Sequence, residues 1–359
     1  MRLLFVNLRK NTKFAALAAA EAERYGHTVF NLLEHSKPET SILSNLYTTE
    51  NDKDEFRANI ARIFRDQNID LVVTQTENLY PLLDAMSLPM LPKMSIPVDT
   101  LTDKEKFAIF CADNNIPSPD TLVPTTIKDL RNTFDRAIFV KPSNGTAGTR
   151  SLFLSEDKYS MFDYIRYESP QHFIDVLRKY GAQKEFEHTQ TYGKELPFGK
   201  GLGGIKGRHL IQECVSSKVS YIINALFAYG KLWFSIIYRS FNTTFSDMYY
   251  YSDKNNEFVC CEKDFDRNQS TARKFLGAKT YNSFVDTMQQ IRQRAGIELC
   301  AFNIHLIPVG NAFYVQDFHP RLAGTLVNMV KITDSQKTNK YYDAIRLQDY
   351  DYPSIWEHI

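Results

Sequence analysis

Two stretches of this sequence place reactive side chains at spacings that suggest chemistry. In residues 299–307, Cys300, Phe302, Ile304 and Leu306 alternate with Asn303 and His305, as on the two faces of a strand. A second strand-like run, 312–318, follows after Pro308–Asn311, so the pair reads as a hairpin. A turn centred on Asn311 sets His305 opposite Asp317, with His319 on the same face and Arg321 just beyond. A carboxylate and a cation at a strand end suit the handling of phosphate and Mg²⁺. Two imidazoles and one carboxylate also make a transition-metal donor set. A plain edge hairpin with a wet polar face is the third reading.

The second stretch is Lys141-Pro142-Ser143-Asn144-Gly145-Thr146-Ala147-Gly148-Thr149-Arg150, between strands at 137–140 and 151–154. Small residues let backbone N–H groups approach phosphate oxygens, and a lysine adds a point charge. No G-K-[ST] precedes a helix, so this is not a Walker A loop. A hairpin that needs glycine only for its turn reads the same way.

The elements that would position these groups follow from periodicity. Residues 3–6, 28–33 and 69–74 read as strands, and 14–25 as an Ala-rich helix stopped by Gly26. Asn51 can cap a helix that puts Phe56, Ile60, Ile63 and Phe64 on one face. Alternation of strand and helix predicts an α/β fold with a parallel sheet. No G-x-G-x-x-G follows the first strand, so a dinucleotide fingerprint is missing. Pro89, Pro92 and Pro97 mark a boundary near 98. Thr102-Asp103-Lys104-Glu105 then opens a helix carrying Phe107, Phe110 and Cys111. Residues 155–208 resist assignment and end in a Gly-rich run. From 209 onward strands dominate, at 209–214, 220–227, 232–240 and 248–251, with a helix near 281–296.

Composition limits the classes of function. The chain has 359 residues, 43 Lys plus Arg against 42 Asp plus Glu, and a net charge of +1. That balance argues against a nucleic-acid partner. No apolar run reaches the length of a membrane span, and the apolar run at the start is too short for a signal-peptide core. Five cysteines without C-x-x-C spacing suggest neither a disulfide framework nor a zinc site. The expectation is a soluble, reducing, cytoplasmic setting.

In this order, the motifs from Asp103 to Gly324 resemble the ATP-grasp superfamily. Asp103-Lys104 is similar to its opening helix, whose lysine contacts ATP phosphates. Phe139-Val140-Lys141-Pro142 with the glycine loop resembles the phosphate-covering loop, and Lys141 matches the second ATP lysine. Leu210-Ile211-Gln212-Glu213-Cys214-Val215 looks like the adenine hinge. Tyr314-Val315-Gln316-Asp317-Phe318-His319-Pro320-Arg321 resembles the metal segment, usually E-x-N-P-R. Asp317 stands for the usual Glu, His319 for the Asn, and His305 for an upstream acidic residue or Gln. The ribose-binding Glu falls near Ser220.

The resemblance implies a Rossmann-like domain at 1–98, an ATP-grasp subdomain with a lid and insertion at 99–208, and a C-terminal subdomain with the metal site at 209–359. It implies a ligase joining a carboxylate to an amine, less often a thiol, through an acyl phosphate. ATP would be bound by Lys104, Lys141, Ser143, Asn144, Gly145, Thr146, Ala147, Gly148, Gln212, Glu213, Cys214 and Val215. Mg²⁺, with Mn²⁺ as alternative, would be held by His305, Asp317 and His319. Arg321, Lys141 and Arg239 would be catalytic, and Lys141→Met would abolish turnover without disturbing the fold. Partners would be small molecules and, by analogy with relatives, a second copy of the chain. Three other readings stay open: a kinase without ligation, a nucleotide-binding regulatory member, and a metalloenzyme without ATP.

Overall fold

Residues 3–6, Leu-Leu-Phe-Val, are buried on both faces, as a central parallel strand requires. They form β1 (Arg2–Asn7) in a computed structural model that describes residues 1–7, 12–34, 45–49, 53–74, 76–131, 134–143, 165–195, 206–215, 217–241, 256–310, 312–321 and 354–359. After β1 come α1 (Thr12–Arg24), β2 (Thr28–Glu34), β3 (Leu46–Thr49), α2 (Lys53–Asp66), β4 (Leu71–Thr74) and α3 (Tyr80–Ala85). The first sheet is parallel, in the order β3-β2-β1-β4. Gly26, at φ +82°, follows the end of α1 where the sequence places the stop. The periodicity missed β3, a short edge strand. Leu4 and Val6 pack with Ile60 and Ile63 of α2, whereas Leu3 and Phe5 face Ala18 and Ala22 of α1 and also Trp356.

Residues 91–98 are bonded to the body: Lys93 N donates to Leu299 O at 2.8 Å and Ser95 N to Ala295 O at 3.1 Å. There follow α4 (Asp99–Thr102) and α5 (Lys104–Asp113). The cap of α5 is Asp103, whose carboxylate accepts from Glu105 N at 2.8 Å and Lys106 N at 3.1 Å. Next come β5 (Thr121–Leu122), α6 (Ile127–Arg131), β6 (Ile138–Pro142), β7 (Ile165–Tyr167), α7 (Pro170–Lys179) and α8 (Gln183–Tyr192). β8 (Lys194–Glu195) pairs with β9 (Lys206–Gly207), and β10 (His209–Glu213) completes an antiparallel second sheet ordered β5-β10-β6-β7. Within the stretch that the sequence left unread, α7 starts at a Ser169 cap followed by Pro170, and α7 and α8 bury Phe173, Leu177 and Phe186 under this sheet.

The third sheet is antiparallel. It contains β11 (Val219–Ala228), β12 (Lys231–Phe241), β13 (Asn256–Cys260), β14 (Leu299–Val309) and β15 (Ala312–His319), ordered β13-β12-β11-β14-β15. Between β13 and β14 lie α9 (Phe265–Leu276), which the sequence reading missed, and α10 (Ala278–Ala295). One face packs Ile223, Phe302, Ile304 and Phe318 against Phe107, Phe284, Met288 and Ile291 of the helices. Each such buried side chain contributes about 1.5–3 kcal/mol. On the other face Leu226, Ala228, Leu299 and Ala301 meet the first sheet. The expected strands at 151–154 and 248–251 lie outside the described residues. Among the described residues, no helix is long and apolar enough to cross a membrane.

Candidate functional site

The last residues of β6 carry Lys141 from the second sheet towards the third. Its Nζ lies 3.2 Å from Asp317 Oδ1, and its side chain is only 2% exposed. Burial depresses the Lys141 pKa, Asp317 opposes that shift, and Lys104 reinforces it. Burial pushes the Asp317 carboxyl up, but Lys141, Lys104, His319 and His305 outweigh it and hold the pKa at about 2. Lys104, first residue of α5, is buried, and its amide donates to Ser143 O at 2.9 Å. Ser143 also bonds Arg208: its amide donates to Arg208 O at 2.8 Å and its Oγ accepts from Arg208 N at 3.0 Å.

His305 pairs with Asp317 across β14 and β15, as expected, but a bulge produces the register. Val309 pairs with Ala312 and Leu306 with Val315, and the register then slips by one so that His305 meets Asp317. The slip turns Asp317 away from the core face that holds Phe313 and Val315. Burial lowers the His305 pKa to about 4 despite Asp317, so its imidazole is neutral at neutral pH. The His305 and His319 rings meet edge to face, with centroids 5.8 Å apart.

Sequence reasoning missed Glu77. It follows β4 in a short turn, Glu77–Leu79, and is 4% exposed. Its Oε1 lies 2.8 Å from His319 Nδ1 and 2.5 Å from Arg321 Nε. Burial raises the Glu77 pKa, but Arg321, His319 and Lys104 overcome it and keep the carboxyl well below the usual range. Tyr80 Oη donates to Pro320 O at 2.9 Å. The available signal was topological: ligands of open α/β sheets bind at the carboxyl ends of the strands, where Glu77 sits.

The other expected residues divide. Residues 144–148 lie outside the described residues. Gln212 and Glu213 end β10, and Cys214 and Val215 follow, half-buried. Gln212 Nε2 donates to Thr121 Oγ1 at 2.9 Å, and Glu213 Oε2 lies 2.8 Å from Arg136 Nη2. The Glu213 amide donates to Asp120 O and the Cys214 amide to Ala137 O, so both are engaged within the protein. Arg239 is not brought to the site. A bulge in β12 puts Phe234 and Ile237 on one face, and Arg239 shares that helix-covered face. Its guanidinium lies over Phe275 and Tyr221 and bonds Phe275 O and Glu257. The expectation that Arg239 is catalytic is corrected on that ground.

The expected metal set is also corrected. Among the described residues, no group of three or more His, Cys, Asp or Glu side chains could hold a metal ion. His319 Nδ1 faces Glu77, Asp317 Oδ1 faces Lys141, and the cations Lys104, Lys141 and Arg321 surround the two carboxylates. Mg²⁺ takes oxygen ligands and keeps much of its water. One paired aspartate between two imidazoles and several cations does not fit it.

The sequence matches no protein-family model and no curated protein. Solved structures do match. An L-amino acid ligase from Bacillus licheniformis is 15% identical, with a TM-score of 0.58 over 92% of this chain and 69% of that one. An N5-carboxyaminoimidazole synthetase from Staphylococcus aureus, complexed with ADP, is 11% identical, with a TM-score of 0.56 over 90% and 71%. A D-alanine–D-alanine ligase from Bacillus anthracis is 10% identical, with a TM-score of 0.50 over 92% and 93%. The chain has the ATP-grasp fold.

Proposed function

We propose that the chain is an ATP-dependent ligase that joins a small-molecule carboxylate to an amine and releases ADP and phosphate. The observation that carries this reading is the convergence of Lys141 from the second sheet, Lys104 from α5 and Arg321 from the end of β15 on one buried, charged region. Structural neighbours that include ligases support it.

In this reading a substrate carboxylate oxygen attacks the γ-phosphorus, and the bond to the ADP oxygen breaks. The amine nitrogen then attacks the acyl carbon, phosphate leaves, and the nitrogen loses a proton. The residues act mainly by positioning and charge neutralisation, as phosphoryl transfer requires. Lys104 and Lys141 neutralise the phosphate chain, Lys141 trading part of its pairing with Asp317 for a phosphate oxygen. Arg321 stabilises charge on the transferred phosphoryl group. The adenine edge docks along Gln212–Val215, where β10 ends and the chain becomes half-buried.

A specific observation favours a second reading, nucleotide binding without ligation: Asp317 and His319 are both paired within the protein. A thermal melt with and without ATP, in Mg²⁺ and in Mn²⁺, tests for the nucleotide. Ligand at a hundredfold over Kd stabilises by about 2.7 kcal/mol. ADP release on a panel of carboxylates and amines then separates ligase from binder. No shift in either metal would sink both.

A further inference from the structure

We infer that Glu77 is a positioning residue, which reaches out of the N-terminal domain to aim the Arg321 guanidinium at the transferred phosphoryl group. This rests on the ligase reading for what Arg321 touches, but not for what Glu77 holds. Glu77 Oε1 faces Arg321 Nε at 2.5 Å and His319 Nδ1 at 2.8 Å, two side chains two residues apart on one segment. The peptide between them is tied to the same domain, because Tyr80 Oη donates to the Pro320 carbonyl at 2.9 Å. Residues 319, 320 and 321 are thus each gripped from the turn that follows β4.

The geometry of the grip matters. The ion pair holds the guanidinium by charge from its stem side, without a hydrogen bond at Nε, and leaves its terminal nitrogens to act as donors. The exposures agree: Glu77 is 4% exposed and Arg321 19%, so the carboxylate sits behind and the cation at the edge of the region. Arg321 also acts electrostatically on His305, which places its charge beside the Lys141–Asp317 pair. A simple latch between domains would need no charge at this position. Tyr80, Leu226 and Trp356 already join the first sheet to the body.

Calorimetry on the full chain tests this with two probes, ADP and the non-hydrolysable imido analogue of ATP. Wild type is expected to prefer the triphosphate analogue. Glu77→Gln and Arg321→Ala should each reduce that preference by about tenfold or more, the worth of a charge-assisted contact. ADP affinity should hold, because Lys104 and Lys141 are untouched. The double variant should be no worse than Arg321→Ala. Glu77→Gln overturns the proposal if it keeps the wild-type preference, or if it weakens both nucleotides equally, as a structural role would. A wild type with equal affinity for both overturns it too.

A readout without nucleotide keeps the two readings apart. The Arg321 Nε–H resonance, assigned by its loss in Arg321→Lys, should report an ordered side chain in wild type and a mobile one in Glu77→Gln. If wild type binds neither nucleotide, the ligase reading falls and this resonance alone judges the grip; side-chain order that survives Glu77→Gln overturns it. Should Glu77→Gln fail to fold, Tyr80→Phe releases the Pro320 carbonyl without changing any charge. It should lower the analogue preference, and an unchanged preference overturns the proposal.

Discussion

Lys141 Nζ and Asp317 Oδ1 sit 3.2 Å apart, joining the second sheet to the third across 176 residues of sequence. The lysine is therefore structural as well as a phosphate ligand in prospect. Contrary to the sequence expectation, Lys141→Met should not leave the fold undisturbed, since it strands a buried carboxylate. Breaking such a pair costs about 3–5 kcal/mol. Urea unfolding should show the loss, and adding Asp317→Asn should recover part of it. An unchanged midpoint in Lys141→Met would mean that Asp317 is hydrated in solution.

Stability should fall in two steps on the acid side. His305 has a folded pKa of about 4 against an ordinary 6.5. The unfolded chain therefore binds that proton first, and stability drops between about pH 6.5 and pH 4, by on the order of 3 kcal/mol. Asp317 has a folded pKa of about 2 against 3.8. Its contribution is intact above about pH 4 and lost as pH falls towards 2, by about 2 kcal/mol. Denaturant midpoints measured from pH 7 to pH 3 should flatten in the upper window for His305→Gln and in the lower one for Asp317→Asn. Parallel curves for wild type and variants would refute the assignment.

Gly296 closes α10 in the left-handed region at φ +60°, and a Cβ there would lie 2.2 Å from Ser95 Oγ and 2.5 Å from Ser95 Cβ. Gly296→Ala combines left-handed strain with overpacking and should cost about 2–4 kcal/mol. Ser95→Gly in the same chain should relieve the clash but not the strain. A double variant no more stable than Gly296→Ala would show that the contact with Ser95 is immaterial.

Trp356 is 1% exposed and stacks on Phe5 with ring centroids 5.3 Å apart. Its carbonyl oxygen lies 2.8 Å from His27 Nε2, and Ser354 Oγ donates to Glu21 Oε1 at 2.7 Å. Trp356→Ala should destabilise by about 3–5 kcal/mol, with hydrogen exchange rising first in β1 and α1. Exchange that rises evenly over all three sheets would contradict this local role.

The elements legible in the sequence were those whose pattern is local. The buried run of β1, the Asp103 cap and the polar face with His305 are each written within about ten residues. Arg239 shows where such reading stops. Its expected role came from the resemblance, whereas the bulge after Phe234 carries residue 239 to the helix-covered face. A similar slip favoured the reading at Asp317, by bringing it to the cleft face. Glu77 was illegible for another reason. A lone carboxylate after a strand has no periodicity, and its partner His319 lies 242 positions away.

The seat of Trp356 on Phe5 has a bearing on how the chain is made. β1 leaves the ribosome long before Trp356 and must wait for that segment before its second face is fully covered. Until then the part of that face beyond α1, where Trp356 stacks on Phe5, remains open to water or to other chains, at a stage when domains otherwise fold in turn. Contacts so distant in sequence also close slowly, because loop entropy is lost before they form. During synthesis the first sheet would therefore be a client for chaperones until the segment at 354–359 emerges and covers it.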